Sequence, residues 1–143
     1  MSTTEFIVLR HGETAWNAEG RIQGHTGAQC ERRWPKHYAR FRSRDPDHEI
    51  PAGESARQLY ERVKDLFTTL AREHMGERLV LVTHGGVLDA LYRFVLGIAL
   101  EQPREFPIYN ASLNVVHLDD ARWSIERWGD ISHLTRDAAL DDF

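Results

Sequence analysis

The amino-acid sequence predicts an α/β domain, and two patterns support this prediction. Short runs of apolar residues alternate along the chain with longer segments in which apolar residues recur every three or four positions. The first pattern is typical of buried strands and the second of amphipathic helices. Elements that alternate in this way form α/β domains. A chain of 143 residues is long enough for one core, so we expect a single domain over residues 1–143, with a polar tail over residues 130–143.

Four strands are predicted. The first two are continuous apolar runs, which are typical of buried strands. In the last two, apolar residues alternate with others, and the Asp119-Asp120 pair between them marks a turn. We expect Trp123, Ile125 and Arg127 to lie on the same side of the fourth strand. The predicted strands are Glu5–Leu9, Leu79–Val82, Leu113–Leu118 and Trp123–Trp128.

Three helices are predicted between these strands. The first covers Glu31–Arg44, with Pro35 in its first turn, where proline is tolerated. The second begins after Ser55 as its N-cap and ends near Gly76. The third follows Gly86 and ends at Gly97. Its predicted buried side carries Val87, Leu88, Leu91, Val95 and Leu96.

Composition excludes several classes of protein. The net charge is -4, without the basic excess of a nucleic-acid-binding protein. The longest apolar runs are far shorter than the roughly 20 residues that span a bilayer, so we expect no membrane segment. The one cysteine, Cys30, cannot form an intramolecular disulfide or a cysteine cluster for a metal. We therefore expect a cytoplasmic protein.

Two histidines stand at the ends of the two most apolar strands, and a glycine follows each of them. These are His11 and His84, and Arg10 precedes the first. If the two strands are parallel neighbours, both imidazoles lie at the carboxyl edge of the sheet, where α/β domains bind ligands. Glycine backbone, the start of the next helix and a guanidinium all favour a phosphate. A single histidine at a strand end is more often a hydrogen-bonded or surface residue, but two in this setting favour a phosphate site.

The residues around these histidines resemble a known family. The run from Leu9 to Asn17, Leu-Arg-His-Gly-Glu-Thr-Ala-Trp-Asn, matches the signature of the histidine phosphatase superfamily. Later segments are similar, in the same order, to motifs of its bacterial phosphoglycerate mutase-like branch. These segments are Gly20–Gly24, Pro51–Ser55, Val82–Gly86 and Asn110–Ser112.

The resemblance implies a role for each matching residue. His11 would be the nucleophile that forms a phosphohistidine, and Arg10 and His84 would offset the charge of the phosphoryl group. The substrate would be a small phosphomonoester, or free phosphate would bind. No metal or cofactor is implied, because fixed cationic side chains supply the electrostatic stabilisation. The remaining phosphate or substrate contacts would come from Asn17, Gln23, Gly24 and Gly85.

The chain departs from the family pattern after His25-Thr26. Two family residues have no counterpart here: a second phosphate-binding arginine and a glutamate that protonates the leaving group. Glu13 and Glu54 are the nearest substitutes by position, although a structural role at a turn and at a helix start is the better interpretation of them. The arginines between Arg32 and Arg44 are interpreted as a solvated helix face, with the alternative that one of them replaces the missing arginine.

The resemblance also implies the fold: a three-layer α/β/α domain of the phosphoglycerate mutase type, with a truncated mixed sheet of about four strands. The expected strand order is Leu79–Thr83, Glu5–Arg10, Ser112–Leu118 and Trp123–Trp128, with the third strand antiparallel. In the family, two further strands lie beyond the second strand found here, and this chain has no counterpart for them. Their absence would leave Leu79–Val82 as an unprotected edge, which favours pairing with another chain. We therefore expect a homodimer or higher homo-oligomer built on this edge or on an exchanged helix.

Three functional hypotheses follow. The first is a histidine-dependent phosphomonoester phosphatase whose activity is impaired by the two missing residues. The second is a pseudoenzyme that binds phosphate or a phosphorylated ligand without turnover, and the third is a truncated oligomeric relic. A phosphoglycerate mutase is the least favoured enzyme, because exchange between two bound acids needs more cationic contacts than remain.

Overall fold

A computed structural model describes residues 3–11, 26–49 and 53–134 of the chain. Within these ranges the chain forms four strands and four helices. In chain order the elements are β1 (Thr3–Arg10), α1 (Gly27–Arg33), α2 (Pro35–Arg42), α3 (Ala56–Glu73), β2 (Arg78–Thr83), α4 (Gly85–Leu96), β3 (Leu113–Asp119) and β4 (Arg122–Asp130).

The four strands form one mixed sheet in the order β2-β1-β3-β4. β1 and β2 are parallel, and Arg10 is opposite Thr83 in their register. β3 runs antiparallel to both β1 and β4. The α/β class and the predicted strand order are therefore confirmed. β3 and β4 are joined at Asp120 and Ala121, whose positive φ values of 48° and 68° are those of the tight turn that matches strand twist.

The register between β3 and β4 shifts, and this shift decides which side chains of β4 reach the core. Val116 is opposite Ile125, but Val115 is opposite Arg127, so Glu126 is an extra residue in β4. Such a bulge reverses the alternation of side chains beyond it. The prediction that Arg127 shares a side with Ile125 is therefore wrong. Trp128 reaches that side instead and packs against Tyr92, with 4.9 Å between ring centroids.

The core lies between one face of the sheet and helices α3 and α4. Phe6 and Val8 of β1 and Val116 of β3 are fully buried there. Phe67 of α3 packs edge-on against Phe6, with 5.2 Å between ring centroids. In α4, Leu88 and Leu91 are buried as predicted, whereas Leu96 is 51% exposed. It was expected on the buried side, but it is the last helical residue before the C-cap Gly97.

The helix predicted over Glu31–Arg44 begins earlier and is divided in two. Thr26 caps α1, and its hydroxyl accepts a hydrogen bond from the backbone N–H of Gln29. The helical run breaks at Trp34, because the following Pro35 starts α2 as its first residue. The predicted N-cap Ser55 is confirmed: its hydroxyl accepts the N–H of Gln58, whose side chain accepts the N–H of Ser55 in return.

The second face of the sheet is less covered. On β1 this face carries Ile7 and Leu9, which are partly buried. Val80 and Val82 lie beside them in the β1–β2 register and are 64% and 69% exposed. β2 is the edge strand, as expected. The chain therefore presents apolar side chains along one edge of its sheet.

The predicted tail begins inside an element, since Asp130 is the last residue of β4. Residues 131–134 follow it, and residues 135–143 lie outside the described part of the chain. The division into a single domain with a tail stays a prediction. Among the residues described, no helix has the length and apolar character needed to cross a bilayer.

Candidate active site

The two histidines expected at the strand ends lie together. Because β1 and β2 are parallel neighbours, His11 and His84 leave the sheet at the same edge. Their ring centroids are 5.0 Å apart and the rings are inclined at 65°. A small tetrahedral anion at this edge would meet both imidazoles. The proximity inferred from the two strand-His-Gly patterns is thus what the fold produces.

The backbone around His11 is fixed from both sides. The N–H of His11 donates to the carbonyl of Thr83, at 3.1 Å, which ties it to the end of β2. Its own carbonyl accepts the N–H of Ala111 at 3.0 Å, and the N–H of Arg10 donates to the carbonyl of Ser112 at 3.3 Å. These bonds continue the sheet past its last strand residues, so the imidazole projects from a rigid support.

Arg10, the residue before His11 at the end of β1, is a buried cation. It is only 4% exposed, and its guanidinium donates a hydrogen bond to the carbonyl of Ile108. A guanidinium remains charged at any physiological pH, and this contact restricts the orientation of its planar fork. A permanent positive charge therefore lies at the same edge of the sheet as His11.

The start of α4 adds a partial positive charge. His84 is the N-cap, and its carbonyl accepts the N–H of Leu88 at 3.2 Å. Its imidazole forms no capping bond and is exposed at the end of β2. Gly85, which is buried, is the first residue of this 12-residue helix. Backbone N–H groups at a helix start favour an anion, as expected for the site.

Segment 110–112 lies next to His11. In the sequence, only its Asn-x-Ser pattern indicated that this segment belongs to the site. Ala111 has a φ of 56°, and its N–H reaches the carbonyl of His11. Asn110 is 1% exposed, and neither polar atom of its amide has a hydrogen-bond partner among the described residues. An unsatisfied buried amide is costly, so its position next to the His11 contact makes Asn110 a candidate functional residue.

Three residues that were predicted to contact phosphate or substrate cannot be located in the structure. Asn17, Gln23 and Gly24 lie outside the described residues, as does Glu13. Glu54, the other substitute acid considered, forms an ion pair with Arg62, with 2.9 Å from Nε to Oε2. The hydrogen bond from Arg62 holds the pKa of the Glu54 carboxyl below its ordinary value. An ionised carboxylate cannot donate a proton, which favours the structural interpretation of Glu54.

The arginines of α1 and α2 are on the surface, in agreement with a solvated helix face. Arg40 pairs with Asp45, and Arg33 lies over the ring of Trp34, with 4.9 Å from its Cζ to the ring centroid. Five arginines in this region are exposed: Arg32, Arg33, Arg40, Arg42 and Arg44.

Comparison with known proteins identifies the family. The model of the histidine phosphatase superfamily, branch 1, matches residues 6–29 and 23–131. A metal-independent phosphoserine phosphatase from Arabidopsis thaliana is 31% identical over an alignment 203 positions long, gaps included, and the alignment covers 92% of this chain and 84% of that protein. Phosphoglycerate mutase-like protein 4 from the same plant is 30% identical, covering 91% and 86%.

Solved structures share the fold. YhfR from Bacillus stearothermophilus superimposes with a TM-score of 0.81 at 18% identity, covering 91% of this chain and 98% of that one. A phosphoserine phosphatase variant from Entamoeba histolytica, solved with phosphoserine, gives 0.74 at 15% identity, covering 92% and 100%. The chain belongs to the histidine phosphatase superfamily, and both the family and the phosphoglycerate mutase-like fold agree with the resemblance in the sequence. The function of the chain is that of a phosphatase of this family.

Proposed function

We propose that the chain hydrolyses small phosphomonoesters through a phosphohistidine formed on His11. The observation that carries this proposal is the 5.0 Å approach of the His11 and His84 rings. It is supported by the buried cation of Arg10 and by the helix start at Gly85. A nucleophile, a permanent positive charge and a helix start lie at one edge of the sheet, which favours transfer of a dianionic group.

The reaction has two steps. A ring nitrogen of His11 attacks phosphorus, the bond from phosphorus to the ester oxygen breaks, and the alcohol leaves as its oxyanion or after gaining a proton. Water then attacks the phosphohistidine, the nitrogen–phosphorus bond breaks, and inorganic phosphate leaves while a proton returns to solvent. Arg10 and His84 offset the charge on the phosphoryl oxygens in both transition states. Asn17, Gln23 and Gly24 are proposed as further phosphate contacts, together with the N–H of Gly85.

Two residues of the family pattern have no counterpart in this chain: the glutamate that protonates the leaving group and the second phosphate-binding arginine. The aligned length of 203 positions with the plant phosphatase exceeds the 143 residues of this chain, so that relative carries residues without a counterpart here. The two stretches matched by the family model share residues 23–29, which supports an internal deletion that joined two similar segments. Loss of one preorganised donor lowers rates by about 10²–10³, and loss of a general acid by about 10²–10⁴.

These losses predict a substrate preference. An aryl phosphate releases a stable phenolate that needs no proton, whereas an alkyl phosphate such as phosphoserine releases an alkoxide that does. Phosphoserine phosphatases are among the relatives and the solved structures, so phosphoserine represents the natural class of substrate. We propose that the chain turns over aryl phosphates much faster than phosphoserine, by a factor of about 10²–10⁴.

The test is hydrolysis of p-nitrophenyl phosphate and of phosphoserine in the presence of EDTA. The parent chain, His11→Ala and the control His74→Ala are compared, because His74 is a C-cap residue of α3 that forms a contact with Glu77. The proposal predicts equal rates for the parent and the control and none above background for His11→Ala. Equal rates for all three would refute it. Phosphate binding without turnover would favour a pseudoenzyme, and neither binding nor turnover would favour a relic.

We also propose that the chain forms a homodimer in the cytoplasm through the β2 edge. An edge strand exposes unpaired backbone groups, and Val80 and Val82 add apolar surface on the open face. A two-fold axis perpendicular to the sheet would pair β2 with β2 of a second copy in antiparallel register. That arrangement keeps the exposed valines of both copies on the same face. The cytoplasmic location is supported by the single cysteine, since cytoplasmic proteins seldom rely on disulfides.

Analytical ultracentrifugation at micromolar concentration tests the dimer. The matched variants are Val82→Lys on the edge strand and Leu66→Lys on α3, where the native leucine is also exposed at 47%. The proposal predicts a dimeric parent, a monomeric Val82→Lys and a dimeric Leu66→Lys. A monomeric parent would overturn it.

A further inference from the structure

Three side chains on the second face of the sheet converge far from the histidine pair. Nε2 of His117 is 2.9 Å from Oε2 of Glu5 and 2.9 Å from Oε2 of Glu126. One ligand atom from each residue lies within 4.8 Å of the others. The three residues come from the adjacent strands β1, β3 and β4. No motif surrounds His117 in the sequence, and the proposed phosphatase reaction uses none of the three.

The donor set favours a transition metal over a hard cation. An imidazole nitrogen with two carboxylate oxygens suits Zn²⁺ and its neighbours, whereas Mg²⁺ and Ca²⁺ prefer oxygen ligands only. A ring nitrogen carries at most one proton, so it cannot make a linear hydrogen bond to both carboxylates at once. A cation between the three atoms would satisfy all of them together.

The surroundings orient these ligands. Glu5 uses one oxygen for His117 and the other for Arg78, whose Nε is 2.5 Å from Oε1. An outer hydrogen bond of this kind fixes the direction of a metal-binding carboxylate. Glu126 is the extra residue of the β4 bulge, and bulges commonly redirect a side chain. The side chains of Glu5 and His117 are 22% and 25% exposed, so the site is partly enclosed.

A metal ion could enter the site from solvent, and the surrounding charges favour a cation. A cavity of about 400 Å³ opens beside it and is lined by Thr3, Glu5, Gly76, Glu77, Arg78 and His117. Glu5, Glu77 and Glu126 outnumber the single arginine, so the local field favours a cation. The cavity gives a water molecule room at the coordination position that a site with three protein ligands leaves open.

We propose that Glu5, His117 and Glu126 bind a divalent transition-metal ion, with Zn²⁺ as the best match to the donors. The site would join three strands at the end of the sheet opposite the histidine pair. His11 is six residue steps from Glu5 along the extended chain, a distance of about 20 Å. The metal therefore acts as a clip on the sheet, and the phosphatase reaction does not pass through it.

Calorimetric titration of the full chain with ZnCl₂, after removal of metal by EDTA, tests the proposal. Glu126→Gln removes one ligand on a side chain that is 54% exposed, so the fold should survive. Two control variants each remove one histidine of a pair elsewhere in the chain that could also bind zinc. His37→Ala disrupts the pair in which Nδ1 of His37 is 3.0 Å from Nε2 of His48, and His11→Ala disrupts the pair at the active site. Circular dichroism confirms that each variant is folded.

We expect the parent and both controls to bind one equivalent of zinc tightly. The dissociation constant for zinc should be at least about tenfold higher in Glu126→Gln, and calorimetry readily measures a change of this size. Zinc should also raise the Tm of the parent and the controls, and much less that of Glu126→Gln. If the parent binds no equivalent of zinc, or if Glu126→Gln binds it as well as the parent, the cluster is a hydrogen-bonded ion pair only and the proposal is wrong.

Discussion

Two glycines with similar positive φ angles and different surroundings allow a sharp test of the packing behind the active site. Gly129 in β4 and Gly97 after α4 have φ values of 64° and 69°. A Cβ atom built on Gly129 would lie 2.6 Å from Cγ of Pro107, whereas one on Gly97 would meet nothing within 4 Å. Replacing each by alanine therefore separates backbone strain from a steric clash.

The expected loss of unfolding free energy in each variant follows from these surroundings. The left-handed conformation costs a residue with a Cβ about 1–2 kcal/mol, and both variants carry that loss. Only Gly129→Ala adds the clash, and overpacking of this kind typically costs about 1–3 kcal/mol more. The clash should also displace groups that support the active site. Pro107 accepts the indole N–H of Trp128 at 2.8 Å, and the next carbonyl, that of Ile108, holds the guanidinium of Arg10.

The assay is urea denaturation followed by tryptophan fluorescence, with the free energy of unfolding extrapolated to water. We expect Gly129→Ala to lose about 1–3 kcal/mol more than Gly97→Ala, with similar m-values. We also expect a lower kcat on p-nitrophenyl phosphate for Gly129→Ala at a temperature where both variants are folded. Equal losses of stability in the two variants would show that Pro107 does not restrict the space at Gly129.

Three further predictions concern the site and its support. Asn114→Ala removes the oxygen that accepts the N–H of Gly129 at 2.8 Å, and a stranded buried group costs about 1–3 kcal/mol, measurable by the same urea titration. Arg10→Lys keeps the charge but loses the planar fork, so we expect kcat on p-nitrophenyl phosphate to fall by about 10²–10³ while the fold, checked by circular dichroism, is retained. Glu54→Gln should leave kcat unchanged. Because the hydrogen bond from Arg62 lowers the pKa of Glu54 in the folded chain, the ionised carboxylate stabilises the fold above the ordinary glutamate pKa of about 4.3. The difference in stability between the parent and Glu54→Gln should therefore shrink as the pH falls below that value.

The strands and the histidine pair could be predicted because their signals are local. An apolar run such as Phe6–Leu9 has few alternatives to a buried strand, and the residue that follows the run must emerge at the sheet edge. His11 and His84 could therefore be paired once the two strands were taken as parallel neighbours. The helix start at Ser55 was equally local, since its capping box is complete within four residues.

Other features depend on contacts that sequence patterns do not contain. An extra residue in β4, Glu126, reverses the alternation of side chains after Ile125, so Trp128 reaches the core where Arg127 was expected. The cluster of Glu5 with His117 joins residues 112 positions apart and becomes visible only through the β1–β3 register. The Asn110 pattern was noticed, but its buried amide and its place next to the His11 contact required the fold.

The central claim is that His11 accepts the phosphoryl group, and trapping the intermediate tests it most directly. The parent chain, His11→Ala and His84→Ala would be mixed with p-nitrophenyl phosphate, quenched in alkali to preserve phosphohistidine, and digested for mass spectrometry. We expect a phosphorylated peptide that contains His11 in the parent, a reduced amount of it in His84→Ala and none in His11→Ala. Phosphate on another residue, or hydrolysis that continues in His11→Ala without a phosphorylated peptide, would show that His11 is not the phosphoryl acceptor.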